Sequence, residues 1–227
     1  MAPLTDKHHI ARRLRNVPIF EALNDTLMEE VAAAALWREY STGEVIVLEG
    51  EAQTGLYFLD YGFVKVVKVS ASGREQTLRI LEPGETFNEI GVFTSRPNPA
   101  TAIALEPAGV WLIRRNTLTR LLLDHPTFGQ SVMEKMAEHM LFLVSLVTDL
   151  SLRPVTGRLA RLLLDSATAN VVQRPRWFTQ AELAARLGTV PDVVQRSLRS
   201  LEADGLIAVD RQQIRILNRP SLEELAA

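Results

Sequence analysis

The chain has 227 residues, 47% hydrophobic and 23% charged, which is typical of a globular protein with a sizeable core. It lacks cysteine, which excludes disulfides, thiolate metal sites and cysteine-ligated iron–sulfur clusters, and it lacks an apolar run of membrane-span or signal-peptide type, so a cytoplasmic protein is expected. The formal net charge of −2 combines an acidic body with a basic end, because the residues from Arg153 onward include 11 Arg, no Lys and 8 acidic residues.

The first half of the chain changes from helical to β periodicity. Apolar spacing predicts helices over residues 9–35, and glycines then recur every 5 to 11 residues between β-rich runs. The predicted strands are residues 45–48, 56–59, 64–69, 76–81, 101–105 and 110–113, with Ser72-Gly73 at a hairpin tip. Many short strands separated by glycine turns predict an antiparallel β-roll or barrel.

A long helix is predicted over residues 127–152, after the break at His125-Pro126. Its apolar residues recur every three or four positions and form a wide stripe. We expect this stripe to be a coiled-coil-like seam between two copies of the chain, although a helix buried in the core of one chain has the same pattern. The predicted seam residues are Val132, Met136, Met140, Leu143, Val147 and Leu150.

The segment 178–207 predicts two helices joined by a tight turn at Leu187-Gly188-Thr189, which is the layout of a helix-turn-helix. Two short strands around residues 210–213 would add a wing. Pro154 interrupts the chain ahead of this region. The predicted domains are therefore residues 1–125, 126–153 and 154–227.

The second helix of this motif, residues 190–203, is expected to enter the major groove of DNA. Val194, Leu198 and Leu201 should face the core, which turns the polar residues outward. The predicted DNA-binding residues are Asp192, Gln195, Arg196 and Arg199 for base edges, and Thr179, Gln180 and Arg211 for phosphates. Asp192 and Arg196 are also spaced for an i,i+4 salt bridge, which is the structural alternative to base reading.

Three parts of the chain resemble the cyclic-AMP receptor protein / FNR (Crp/Fnr) family of bacterial transcription regulators. They are the roll segments GEVIVLEGE (43–51) and LEPGETFNEIGVF (81–93), the segment VTGRLARLLL (155–164), and the helix-turn-helix TQAELAARLG with VQRSLRSLEADGLI. The resemblance implies an α+β fold: an N-terminal antiparallel β-roll (a cyclic-nucleotide-binding-like jelly roll), a long dimerisation helix and a C-terminal winged helix-turn-helix.

The resemblance also implies a function. Such a protein is a homodimeric transcription regulator that binds a near-palindromic site in double-stranded DNA, and RNA polymerase is an expected partner, at the loop 169–177. Asp192 and Arg196 fall on the base-contacting acid and arginine of the family. Pro191 stands where cyclic-AMP-type members carry another base-reading arginine.

The effector pocket implied by the resemblance is incomplete. Its candidate residues are Glu89, Gly91, Arg96, Thr101, Leu143 and Val144. The phosphate-binding arginine of the family aligns with Ala100, and the adenine-contacting hydroxyl pair aligns with Leu143 and Val144. Cyclic AMP is therefore disfavoured, unless Arg96 replaces the missing arginine. An unidentified small effector, or none, is the expectation.

Other cofactors and other classes of function have less support. Haem-sensing relatives use Cys and His near positions 88 and 90, where this chain has Asn88 and Ile90, so haem is disfavoured and no metal site is expected. A ligand-binding module such as those of cyclic-nucleotide-gated channels would lack residues 178–217. An enzyme is also disfavoured, because no Walker loop, G-x-S-x-G or HExxH motif is present and no catalytic residues are assigned.

Overall fold

The computed structural model describes residues 7–52, 54–94 and 96–227; the first six residues of the predicted first domain lie outside the described residues. Backbone contacts divide the chain into two compact units. The roll unit consists of Met1–Lys68 and Leu78–Leu141, and the winged-helix unit consists of Val69–Thr77 and Phe142–Ala227.

The roll unit has helices at both ends of a strand-rich region. The elements that lie wholly or partly in it are α1 (Lys7–Leu14), a 3₁₀ turn (Pro18–Phe20), α2 (Asp25–Ala34), β1 (Leu36–Tyr40), β2 (Val45–Val47), β3 (Gly55–Tyr61), β4 (Val64–Val69), β5 (Glu75–Leu81), β6 (Thr86–Phe87), α3 (Glu89–Phe93), β7 (Thr101–Ala104), β8 (Ala108–Arg114), α4 (Arg115–Asp124) and α5 (Pro126–Leu152).

Two four-stranded sheets form the roll, in the orders β1-β8-β3-β6 and β2-β7-β4-β5. Apolar side chains that alternate along the strands fill the space between the sheets, including Leu59, Val64 and Val110. The helices cover the other face of the first sheet through a second cluster, in which Phe20 stacks on Phe128. The roll therefore consists of two sheets with a packed core between them and helices packed on the outer face of one sheet.

The antiparallel roll predicted from the glycine spacing is confirmed, and the six predicted strands correspond to β2, β3, β4, β5, β7 and β8. β1, β6 and α3 were missed. β1 follows α2 after Ala35 alone, so no turn signal separates them, and β6 has only two residues. Elements this short leave no periodic signal in a sequence.

The long helix α5 extends from Pro126 to Leu152, and the predicted seam residues on it differ in exposure. Val132 is only 6% exposed and belongs to the roll core, with Met136 packed against that core. Within one chain Val132 therefore continues the buried face that begins at Phe128, and its place in a seam between two chains stays a prediction. Leu150 is half-buried and lies beside Gly188, since a β-carbon built there would be 2.8 Å from Leu150 Cδ2.

The exposed apolar stripe on α5 consists of Met133, Met140, Val144 and Val147, whose side chains are between 62% and 67% exposed. Spacings of seven, four and three residues bring these four side chains onto one line, because successive residues turn by about 100°. Val132 and Leu150 lie to one side of that line. Met133 and Val144 are thus stripe residues that the sequence pattern did not assign to the seam.

The winged-helix unit has its own core. Its elements are α6 (Val155–Ser166), β9 (Val171–Gln173), α7 (Gln180–Leu187), α8 (Pro191–Ala203), β10 (Ile207–Val209), β11 (Gln213–Ile216) and α9 (Arg219–Ala226). Leu163, Val194, Leu201 and Leu222 are fully buried at its centre. The predicted wing strands are confirmed as β10 and β11, and β9 adds a third antiparallel strand inside the segment predicted to be a loop, 169–177.

The end of α5 is tied to α6 by one arginine. Arg158 Nη1 donates to three carbonyls at the end of α5, those of Asp149 (3.3 Å), Leu150 (3.0 Å) and Arg153 (3.2 Å). The last carbonyls of a helix have no partner within it, so these bonds replace the missing ones. Burial lowers the pKa of Arg158 below its usual range, opposed by Asp149.

Candidate nucleic-acid interface and effector site

The helix-turn-helix begins with a well-capped α7. The side chain of Thr179 accepts a hydrogen bond from the Glu182 backbone N–H at 3.1 Å, which satisfies one unpaired donor of the first turn. Gly188 follows α7 with φ +64°, a conformation that suits glycine and that turns the chain sharply. Val190 is the N-cap of α8, and Pro191 occupies its first turn, where a missing N–H costs nothing.

The faces of α8 are segregated as expected. Val194, Leu198 and Leu201 are buried in the core of the unit. The side chains of Asp192, Arg196 and Arg199 are exposed, and that of Gln195 is half-buried. We call these four polar residues the recognition face.

The recognition face makes no polar side-chain contact within the part of the chain that the structure describes. The i,i+4 salt bridge between Asp192 and Arg196 that the sequence suggested is not among the ion pairs of the described residues. Both side chains nevertheless project from the N-terminal half of α8, which is the part of a recognition helix that reaches base edges. Their ionic groups therefore remain exposed to solvent and to ligands.

The predicted phosphate contacts lie on two other elements. Thr179 and Gln180 are exposed at the start of α7, and Arg211 is exposed at the turn between β10 and β11. The Asp210 carboxylate accepts hydrogen bonds from the backbone N–H groups of Gln212 and Gln213, both at 2.8 Å. These two bonds lower the pKa of Asp210 and hold the turn that presents Arg211.

The second predicted site, in the roll, is built around α3. Glu89 is only 4% exposed, and its carboxylate accepts a hydrogen bond from the Thr86 hydroxyl at 2.7 Å. Gly91 lies against Asn88, because a β-carbon at Gly91 would be 2.5 Å from Asn88 Oδ1. Asn88 has φ +69° and donates from its amide to the Gly55 carbonyl at 3.0 Å. Both Glu89 and Gly91 therefore have contacts within the roll.

The segment after α3 holds the other roll candidates. The Thr101 hydroxyl accepts a hydrogen bond from the Glu49 backbone N–H at 3.1 Å. Ala100, at the position of the family's phosphate-binding arginine, carries no charge, and Arg96 is exposed on the preceding loop. Lys68, which the sequence did not single out, donates to the Pro99 carbonyl at 3.0 Å and pairs with the Glu49 carboxylate. The Lys68 ammonium group beside this loop is therefore already paired with a carboxylate.

The α5 candidates and one unpredicted histidine complete the description of this site. Leu143 and Val144 are exposed apolar residues, so neither supplies a hydroxyl. Burial lowers the pKa of His139, Glu89 opposes that shift, and Arg79 and Lys135 add to it. A β-roll of the cyclic-nucleotide-binding type followed by a winged helix-turn-helix defines a class of transcription regulators.

Comparisons with known proteins agree with that class. The family described as Cyclic nucleotide-binding domain matches residues 37–125, and the family described as Crp-like helix-turn-helix domain matches residues 157–225. The chain is 31% identical over 214 residues to the "Probable transcriptional regulator flp" of Lacticaseibacillus casei, covering 92% of this chain and 96% of that protein. This chain belongs to the Crp/Fnr family of transcription regulators.

Two further relatives extend the comparison. The CRP-like cAMP-activated global transcriptional regulator of Mycobacterium tuberculosis is 24% identical over 210 residues, covering 88% of this chain and 94% of that protein. The structure of FixK2 from Bradyrhizobium japonicum superposes with a TM-score of 0.76 at 23% identity, covering 85% of this chain and 98% of FixK2. The latter likeness supports the fold.

Membrane-spanning helices and metal-binding clusters are both absent from the described residues. No helix there combines the length and apolar character needed to cross a bilayer. No cluster of three or more His, Asp or Glu side chains in the same residues is placed to hold a metal ion.

Proposed function

We propose that this regulator acts as a homodimer and reads a near-palindromic DNA site with two copies of α8. The observation that carries the proposal is the recognition face. Its charged side chains are exposed and make no polar contact among the described residues, so the fold itself does not account for them. Two α8 helices about one helical turn of DNA apart would meet the two half-sites.

Base reading is assigned to Arg196 and Asp192. An arginine binds guanine O6 and N7 with two hydrogen bonds, and a carboxylate accepts from cytosine N4, so the two side chains can read one G·C pair or two neighbouring pairs. Gln195 and Arg199 extend the same surface. Thr179, Gln180 and Arg211 are proposed to bind phosphates, which sets the register of the helix on the duplex.

The partner in the dimer is assigned to the exposed stripe of α5. Four large apolar side chains in one line on a long helix are costly to leave in water, and a second copy of the same helix would cover them. Leu143 borders this stripe. Because the seam is centred on Met133, Met140, Val144 and Val147, it is rotated away from the predicted line through Val132 and Leu150.

The roll is proposed to bind no cyclic AMP at ordinary concentrations. A buried phosphate needs a guanidinium, and Ala100 supplies none, while the Lys68 ammonium is paired with Glu49. An effector of another type, or none, is then expected. The alternative is a cyclic-nucleotide-responsive regulator in which Arg96 takes the place of the missing arginine. We also propose, from the family resemblance, that residues 169–177 contact RNA polymerase.

A selection experiment tests the DNA proposal. Random duplexes are bound to the purified chain at fixed salt, and the recovered duplexes are sequenced. The mass of the complex with a recovered duplex then gives the number of chains bound. The expected result is an inverted repeat with two chains bound per duplex. Recovery of no shared sequence, or of a single half-site bound by one chain, would refute the dimeric reading. Calorimetry with cyclic AMP, comparing the wild type with Arg96→Ala, separates the two effector proposals.

A further inference from the structure

The hairpin between β4 and β5 is grouped with the helix-turn-helix: Val69–Thr77 belongs to the same compact unit as Phe142–Ala227. Hydrogen bonds between described residues join these two segments. The Thr77 hydroxyl donates to Glu182 Oε1 at 2.9 Å, the Gln76 amide donates to the Arg186 carbonyl at 3.3 Å, and the Arg74 guanidinium donates to the Gly188 carbonyl at 2.5 Å. We call Arg74, Gln76 and Thr77 the β4–β5 clamp.

The bond between Thr77 and Glu182 anchors the clamp. The two side chains are 3% and 7% exposed, so neither the hydroxyl nor the carboxylate is well hydrated. A hydrogen bond to a charged group in such surroundings is strong, so loss of the Thr77 hydroxyl would remove one polar partner of the buried Glu182 carboxylate. Glu182 lies in the first turn of α7, where a carboxylate also interacts favourably with the helix dipole.

The other two bonds act on the end of α7 and on the turn. Arg186 lies in the last turn of α7, and the Gly188 carbonyl leads directly toward the N-cap of α8. A β-carbon at Gly188 would be 3.0 Å from Gln76 Oε1 as well as close to Leu150. The clamp thus contacts the beginning of α7, its end and the turn that sets the direction of α8.

The hairpin has a defined conformation of its own. The Ser70 N–H donates to the Arg74 carbonyl, and the Gly73 N–H donates to the Ser70 carbonyl, both at 2.9 Å. The Ser70 hydroxyl accepts from the Arg74 N–H at 3.0 Å, and Gly73 takes φ +79° at the tip. A hairpin closed in this way holds Arg74 in place with little further loss of entropy.

In the structure, where the hydrogen bonds of the clamp are formed, the charged residues of the recognition face are exposed. We infer that Arg74, Gln76 and Thr77 are positioning residues for DNA reading, which hold α7 and the turn so that α8 is presented at a fixed angle. The inference rests on the proposed function.

The test compares specific with non-specific DNA binding by the full-length chain. Thr77→Val removes the hydroxyl at nearly constant volume, Thr77→Ser restores it, and Thr54→Val is the matched control, since Thr54 makes a hydroxyl bond with Tyr57 at 2.8 Å in the roll. Affinities for the selected site and for an unrelated duplex are measured well below the melting temperature of every variant. At that temperature a purely structural defect leaves the chain folded and its DNA affinity unchanged.

The expected result for Thr77→Val is an about tenfold loss of affinity for the selected site, with the affinity for unrelated DNA within about twofold of wild type. Thr77→Ser and Thr54→Val should bind like the wild type. Equal loss on both duplexes, no loss, or no rescue by serine would overturn the inference. If the wild type itself shows no preference for any duplex, the proposed function fails and the clamp inference fails with it.

Arg74→Ala serves as a second variant, because Arg74 is exposed and its removal should not prevent folding. The expected loss of specific affinity is about threefold, with an unchanged dependence of affinity on salt. A salt dependence reduced by about one phosphate contact would show that Arg74 binds DNA directly, and would overturn its assignment as a positioning residue.

Discussion

Two sets of predicted site residues differ in their contacts within the fold. The candidate effector residues Glu89 and Gly91 have structural contacts in the roll, whereas the residues of the recognition face make no polar side-chain contact among the described residues. Glu89 is bonded to Thr86, and Gly91 is needed for the close approach of Asn88, so both would be required in a roll that binds no ligand. Asp192 and Arg196 have no such role among the described residues. Matching residues are therefore strong evidence for a binding function only where the fold gives them nothing else to do.

Ala100 completes the comparison. On the alignment that the family resemblance implies, the phosphate-binding arginine falls on Ala100, whose side chain cannot pair with an anion. Glu89 and Gly91 thus have structural roles in the roll, whereas Ala100 supplies no guanidinium for a phosphate.

The largest effect is expected at the seam. The double change Met140→Asp and Val147→Asp places charges on the exposed stripe and should give monomers in sedimentation experiments. Specific DNA affinity should fall about 100-fold or more, because the two half-sites no longer bind together. Thr127→Asp, at an exposed position in the first turn of α5 and on another face of the helix, is the control. A dimer that survives the double change would place the interface elsewhere.

The next effect concerns the recognition face. Arg196→Ala should reduce affinity for the selected site by about 10- to 100-fold and relax base preference at one position in each half-site. Arg12→Ala, an exposed change in α1, should have no effect. The measurement is titration of labelled duplexes that carry each base at that position. If affinity and preference are unchanged, Arg196 does not read bases.

Ala100→Arg tests whether the roll lacks only a charge. Restoring a guanidinium should improve cyclic AMP affinity at least about tenfold, because a charge-assisted hydrogen bond is restored. Ala100→Gln, which has polarity without charge, is the control. Isothermal titration calorimetry gives the answer. Tight binding of cyclic AMP by the wild type would remove the contrast between the two regions altogether.

Gly188→Ala should destabilise the winged-helix unit by about 2 kcal/mol, through φ strain and through the close approach of Leu150 and Gln76. Gly205→Ala separates the two causes, because Gly205 has φ +69° and nothing within 4 Å of its would-be β-carbon. Its cost should be about half as large. Thermal melting measures both, and equal shifts would mean that the neighbours at Gly188 yield easily.

The smallest effect is a pH dependence in the roll. Burial lowers the pKa of His139 from its usual value of 6.5, so the unfolded chain binds this proton more readily than the folded chain does. The stability that results is present above about pH 6.5 and is lost as the pH falls. His139→Gln should therefore reduce the drop in melting temperature between about pH 7.5 and pH 5.5 by about 1 °C. An unchanged drop would contradict this assignment.

The parts of the fold that could be predicted from the sequence are long elements and elements bounded by clear turn residues. The glycine turns predicted the roll, and the spacing of Val194, Leu198 and Leu201 predicted which face of α8 is buried. Prediction from the sequence was incomplete where one apolar periodicity includes residues of two different surfaces. The apolar residues of α5 belong partly to the roll core and partly to an exposed stripe, and Val132 cannot be assigned to either without knowing what packs against it.

The β4–β5 clamp could not have been found from the sequence alone. Thr77 and Glu182 are 105 positions apart, and a threonine on a strand and a glutamate in the first turn of a helix are each ordinary. Lys68 was missed for a similar reason, since its partners Glu49 and Pro99 come from distant strands and loops. Polar contacts across long separations carry no periodic signal.

The joint between α5 and α6 has mechanical consequences. Only Arg153 and Pro154 separate the two helices, and the side chain of Arg158 binds three carbonyls at the end of α5. Asp149 adds ion pairs to Arg153 at 3.1 Å and to Arg161 at 3.8 Å. Such a joint has little slack, so a rotation of the last turns of α5 about its axis would turn α6 with it.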